Sequence, residues 1–323
     1  MGLLKSSFTG GMMERMSESG LQRIVAVDWS GRVDAAGQRR HIWAGVWTSG
    51  SSEAKVTLEA GRTREELTAW LIAMARETPR MVVSLDCCFS FPAWFLQEHG
   101  CATVFDFWRH VTAGQGEQWL ARECEEVKRD GRFWGKPHKR PAQFCGEGLH
   151  RSMRTTDTDN KITPKLLEGD PERAAKVKGI TPKSPFQIGG SGSVGTGSLR
   201  AMPFLLELHQ AGFCVWPFES ARLAGAKRQP LLVEMYTRLM TGAVKKSNAE
   251  ARKVYLAAKK KHDAVYAGLA RGVMAKALGS EDAFDALVSC LEMVRWKSEF
   301  AGLKATKDKA LRLEGITWSQ GIK

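Results

Sequence analysis

The sequence predicts an α/β protein: a mixed sheet with flanking helices and a large middle insertion. Three observations carry that prediction. Two short apolar runs each end in an acid, Ile24-Val25-Ala26-Val27-Asp28 and Met81-Val82-Val83-Ser84-Leu85-Asp86. Between them the hydrophobic spacing changes from that of strands to that of a helix. Beyond them, long helical segments are interrupted by brief apolar runs.

Residues 1–22 hold no continuous apolar stretch and no cleavage pattern, and read as a loose N-terminal extension. The first strand is 24–28. Residues 41–48, from His41 to Thr48, and 53–59, around Val56 and Leu58, are the next two strands, punctuated by Gly31, Gly37 and Gly50. A helix follows, because Leu67, Trp70, Leu71 and Met74 recur at helical spacing and Thr63 with Glu66 makes a capping box. The fourth strand is 81–86. Helices are expected around 92–99 and 104–127, then an insertion with much loop at about 128–190 and a Gly/Ser run at 189–198. A helix at about 199–211, strands at 213–218 and 231–236, helices within 247–278 and over 281–298, and a short strand at 315–318 complete the order. There are no internal repeats, and 23–323 reads as one elaborated domain.

Composition narrows the function. With 48 Lys+Arg against 35 Asp+Glu, the 323-residue chain has a formal charge of +13. That excess favours a polyanionic partner and says nothing about fold. A hydrophobic content of 43% beside 26% charged residues excludes a wholly disordered chain. No run approaches the roughly 18 apolar residues of a membrane span, so no membrane association is expected. The seven cysteines, with one vicinal pair at Cys87-Cys88, form no secreted disulfide framework, and a cytoplasmic location is expected. His138, Cys145 and His150 match no zinc spacing, and no G-x-S-x-G anchors a hydrolase triad.

The acids that end apolar runs are the candidate site. Asp28 ends the first strand and Asp86 the fourth. Glu234 lies inside the apolar run Leu231–Tyr236. Asp282 and Asp285 stand in the first turns of the last long helix, behind the N-cap Ser280. Phe284, Leu287, Val288, Leu291 and Val294 form one stripe on that helix, and the two aspartates fall nearly opposite it, which suits a solvated face. Carboxylates that converge at one sheet edge repel each other, and a divalent cation with oxygen ligands relieves the repulsion. Two such ions about 3.5–4 Å apart activate a water and stabilise the leaving oxygen of a phosphodiester.

Order makes these weak signals specific. Three strands, a helix, a fourth strand and later helices resemble a ribonuclease-H-like fold. The segments Val25-Ala26-Val27-Asp28-Trp29-Ser30-Gly31, Val83-Ser84-Leu85-Asp86, Val233-Glu234-Met235-Tyr236 and Asp282-Ala283-Phe284-Asp285-Ala286-Leu287-Val288 look like the bacterial family described as predicted ribonuclease-H-like nucleases (domain of unknown function 429). The closing Leu313-Glu314-Gly315-Ile316-Thr317-Trp318 is similar to that family's final strand, and the Asp282/Asp285 pair resembles the last-helix pair of Holliday-junction resolvases. The resemblance implies a metal-dependent nuclease with Mg²⁺ or Mn²⁺. It implies Asp28, Asp86, Glu234, Asp282 and Asp285 as the catalytic acids, with Asp28, Asp86, Asp282 and Asp285 as metal ligands. The acid expected on the helix after the third strand has no clear equivalent here, although Glu65 and Glu66 lie in that helix.

The expected partner is nucleic acid, DNA or RNA. Basic segments lie at 128–140, with Phe133 and Trp134 between the charges, and at 227–261. Arg132, Lys136, Lys139, Arg140, Arg200, Lys245 and Lys246 are the expected phosphate contacts. Phe133 and Trp134 are placed either to stack on unpaired bases or to anchor the loop. Residues 190–195, Gly-Ser-Gly-Ser-Val-Gly, imitate a dinucleotide fingerprint, but the segment before them is a poor buried strand. They read as a Gly/Ser loop, or as a phosphate loop with Thr196, Ser198 and Arg200 nearby. Two other functions fit parts of the pattern. One is a nucleic-acid-binding protein without chemistry; the other is an ATP-dependent phosphotransferase of the sugar-kinase and actin group, with Asp28-Trp29-Ser30-Gly31 as its first phosphate turn.

Overall fold

The apolar run before Asp28 forms β1 (Arg23–Asp28), a central strand whose interior residues Ile24 to Val27 are fully buried. The computed structural model describes residues 20–50, 55–121, 130–135, 138–145, 149–151, 183–190 and 193–321. The 1–22 extension and the 128–190 insertion lie largely outside the described residues. Two further strands, β2 (Trp43–Thr48) and β3 (Lys55–Glu59), continue antiparallel from β1. The strand β4 (Met81–Leu85) pairs parallel to β1, β6 (Leu231–Glu234) pairs parallel to β4, and β5 (Cys214–Trp216) takes the edge beside β6. The sheet is therefore mixed, six-stranded, with order β3-β2-β1-β4-β6-β5.

Helices cover both faces. On one face lie α2 (Arg64–Glu77), α3 (Ala93–Glu98), α4 (Val104–His110) and α6 (Val194–Gln210), joined to the sheet through Val25, Val27, Val83 and Leu85. The expected capping box of α2 is formed in both directions between Thr63 and Glu66. On the other face α11 (Glu281–Arg295) crosses β1 and β2. Gly45 of β2 permits that crossing, because a Cβ there would stand 2.4 Å from the carbonyl oxygen of Ala286.

Several boundaries differ from the sequence expectation, each for a visible reason. Asp34 caps a short helix, α1 (Ala35–His41), so β2 begins at Trp43 and His41 ends a helix. The helix expected over 104–127 is divided, because Gly114 (φ 113°) kinks a π-helical turn between α4 and α5 (Gly116–Leu120). The second half of the Gly/Ser run is helical, since α6 already begins at Val194, and residues 191–192 lie outside the described residues. Gly195 serves close packing, a Cβ on it falling 2.0 Å from the carbonyl of Pro185, and Gly31 lies so near the backbone of Gly197 that its own Cβ would stand 2.7 Å from that amide. No strand leads into this helix among the described residues, so the dinucleotide pattern lacks its strand. The expected 247–278 helical region is three helices: α8 (Ala249–His262), α9 (Ala264–Ala267) and α10 (Arg271–Gly279). The last expected strand reduces to one parallel bridge between Thr317 and Glu234. No described helix is long and apolar enough to cross a membrane.

Candidate functional site

Strand register decides which acids meet. Val27, Leu85 and Glu234 stand level on the adjacent parallel strands β1, β4 and β6. Side chains alternate along a strand, so Glu234 projects to the face of Val27 and Leu85. Asp28 is one residue further and projects to the opposite face, towards α11. Asp86 follows it there, since its backbone N–H extends the ladder to the carbonyl of Val27 at 3.0 Å. Thr237, at the start of α7 (Thr237–Thr241), fixes the Asp86 carboxylate through its hydroxyl at 3.0 Å.

Asp285 completes this group. It is fully buried, which corrects the solvated face expected for it. Every residue of α11 from Ala283 to Met293 is buried, because α7, α9 and α10 cover the side of the helix that the sheet does not. Its Oδ2 is ion-paired with Lys246 Nζ, and its Oδ1 is buried with no hydrogen-bond partner among the described residues. Asp282 is partly exposed and accepts from His41 Nδ1 at 2.8 Å, across from the end of α1. Asp28, half-buried, accepts no hydrogen bond among the described residues.

The electrostatics agree with this crowding. Burial pushes the Asp28 carboxyl well above the usual range, and Asp285, Asp86 and Asp282 push it further against a smaller pull from Lys246. Burial likewise raises Asp86, opposed by Lys246 and the Thr237 hydrogen bonds. Burial pushes Asp285 up to about 6 in spite of Lys246. Burial works against the Lys246 ammonium, yet Asp285, Asp28 and Asp86 hold it above its ordinary value. These side chains are not closed into a metal-ligating cluster: no group of three or more His, Cys, Asp or Glu among the described residues has that arrangement.

Glu234 belongs to a different structure. Its Oε1 accepts from Arg151 Nη1 at 2.8 Å and the Thr317 hydroxyl at 2.5 Å. Its Oε2 accepts from Arg151 Nη2 at 3.0 Å and the Phe89 amide at 2.7 Å. Four hydrogen bonds occupy the acceptor sites of the carboxylate, which speaks against the ligating or water-orienting role expected of Glu234. A cleft of about 210 Å³ opens beside Asp86 and Glu234, lined also by Trp29, Gly197 and Tyr236.

The expected phosphate contacts divide. Lys246 points into the acidic group. Arg132 is held by Glu98 and Asp130, and Arg200 by Glu117 and the carbonyl of Gly31. Lys139 and Lys245 are exposed and Arg140 is partly so, while Lys136 lies outside the described residues. Phe133 and Trp134 are buried in an aromatic cluster with Phe91, Trp119 and Phe186, so they anchor the loop and are closed to bases.

Sequence reading missed His41, Thr237, Arg151 and the inward direction of Lys246. For His41 a signal was present: Asp34 as cap and Arg39, Arg40 and His41 in a last turn. Arg151 and Lys246 carried none, since their partners are distant in sequence. No family model matches this chain, and no curated protein and no solved structure matches it significantly.

Proposed function

We propose that the chain is a metal-dependent nuclease of ribonuclease-H-like fold, with Asp28, Asp86 and Asp285 holding the metal and Asp282 at its margin. The observation that carries the reading is the buried, unpartnered Oδ1 of Asp285 in a group whose other acids are Asp28 and Asp86. A buried carboxylate oxygen without a donor is costly, and a cation is the partner that this donor set fits. All-oxygen ligands suit Mg²⁺ or Mn²⁺. The antiparallel β1–β2–β3 meander with β4 parallel to β1 supports the fold, because it is what brings Asp28 and Asp86 side by side.

When bound, the cation would polarise water and stabilise the leaving oxygen of a phosphodiester. The chain's own groups prepare for this. Thr237 keeps Asp86 in place, and His41 holds Asp282 at the rim. The Glu234–Arg151 pair fixes the end of β6 against Phe89 and Thr317. Asp28, Asp86 and Asp285 would hold the cation, and its charge would offset their mutual repulsion. Lys139 and Lys245, both exposed, remain for the backbone of a nucleic acid, a salt-sensitive contact.

The test is cleavage of mixed DNA and RNA substrates with Mg²⁺ or Mn²⁺. Asp28→Asn is expected to lower the rate at least ~100-fold, the upper end of what losing an outer partner of a metal ligand costs. Equal cleavage by both proteins, or cleavage that persists in chelator, contradicts the assignment.

A further inference from the structure

We propose that Lys246 serves as the second cation of this site, so that the acidic group takes one divalent ion beside the lysine ammonium and not two. The inference rests on the metal-dependent reading above. Its ground is the division of labour within one carboxylate. Asp285 has one oxygen ion-paired with Lys246 and the other buried without a partner. One oxygen is committed to a cation the chain supplies, and the other is left for a cation it does not.

Charge leads to the same number. Asp28, Asp86 and Asp285 are neutralised by one ammonium and one divalent ion. A second divalent ion would leave an excess of positive charge in a largely buried site, which such sites disfavour. Asp282 stands outside this balance at the partly exposed rim, where water screens its charge.

The lysine is built in. It stands between α7 and α8, where its N–H donates to the carbonyl of Val244 at 2.8 Å. Arg238 donates to that same carbonyl at 2.7 Å. The buried Arg252 donates both to the carbonyl of Lys246 and to that of Leu278 at the end of α10, tying the segment down from below. Asn248 then caps α8 through the amides of Glu250 and Ala251. A surface lysine meant for phosphate would need none of this. A compact point charge on a fixed backbone is suited to stand in for a metal ion.

The experiment counts Mn²⁺ ions bound by the full chain, by calorimetric titration and by loss of the free-Mn²⁺ paramagnetic signal. Wild type is expected to bind one ion, and Asp28→Asn to lose it. Lys246→Met is expected to bind two, and Lys246→Arg one. Two ions on wild type, both lost in Asp28→Asn, would overturn the inference and leave the metal-dependent reading standing. So would a single ion on a folded Lys246→Met. No Mn²⁺ on wild type would overturn both. If Lys246→Met fails to fold, the wild-type count alone decides.

Discussion

Replacing Glu234 with Gln is expected to destabilise the folded chain by about 3–5 kcal/mol, the usual cost of stranding one member of a buried ion pair. Glu234 and Arg151 are 2% and 1% exposed and meet through two hydrogen bonds, at 2.8 and 3.0 Å. Burial works against the Arg151 charge, and Glu234 is the main group that sustains it. The substitution keeps the shape and removes the charge, so the guanidinium is left in the interior without its counter-ion. The same carboxylate also holds the Phe89 amide and the Thr317 hydroxyl, so its loss loosens the segment after β4 and the final bridge together. Urea unfolding followed by circular dichroism at neutral pH measures the effect. A loss below about 1 kcal/mol would place the pair among those of little consequence and contradict this account. Arg151→Met combined with Glu234→Gln is expected to recover part of the loss, because no charge is then stranded.

The second large effect is on pH dependence in the absence of divalent metal. Asp285 moves from an ordinary 3.8 to about 6 in the folded chain, and Asp28 and Asp86 move in the same direction. For a raised carboxyl the folded state holds its proton longer than the unfolded state does. Below the unfolded value both states are protonated and no penalty exists. As pH rises from there through about 6, the unfolded chain ionises first and folding loses stability. For Asp285 alone the loss is on the order of 3 kcal/mol, complete above the folded value. Chemical denaturation in chelator is therefore expected to show wild type losing stability relative to Asp285→Asn between mildly acidic and neutral pH. A difference between the two proteins that does not change with pH would contradict the crowding described here. Saturating Mn²⁺ is expected to offset the loss at neutral pH, since it binds the ionised form.

The sheet was legible because its strands are short apolar runs with clear ends. Asp28 and Asp86 stood out because each follows such a run, and parallel pairing of β1 with β4 then places them together without further information. Asp285 was legible as a residue and not as an environment. One apolar stripe predicts one covered face, whereas α11 is covered by the sheet on one side and by other helices on the other. Alternation could have separated Glu234 from the other acids, but only once the register of β6 on β4 was known. Residues 190–195 looked like a phosphate loop because glycine marks close approach of any kind; at Gly195 the approach is to the carbonyl of Pro185. The basic excess was the least legible feature. Charge counts alone do not separate an exposed Lys245 from a Lys246 turned into an acidic pocket, and those two residues are adjacent.

The claim that Asp28, Asp86 and Asp285 hold a divalent cation is tested most directly by crystals soaked in Mn²⁺ and measured at a wavelength where manganese scatters anomalously. The account predicts an anomalous peak within ligating distance of Asp28, Asp86 and the free Oδ1 of Asp285, absent from crystals of Asp28→Asn. A saturating soak with no peak among these three carboxylates, or the same peak in Asp28→Asn, would contradict it.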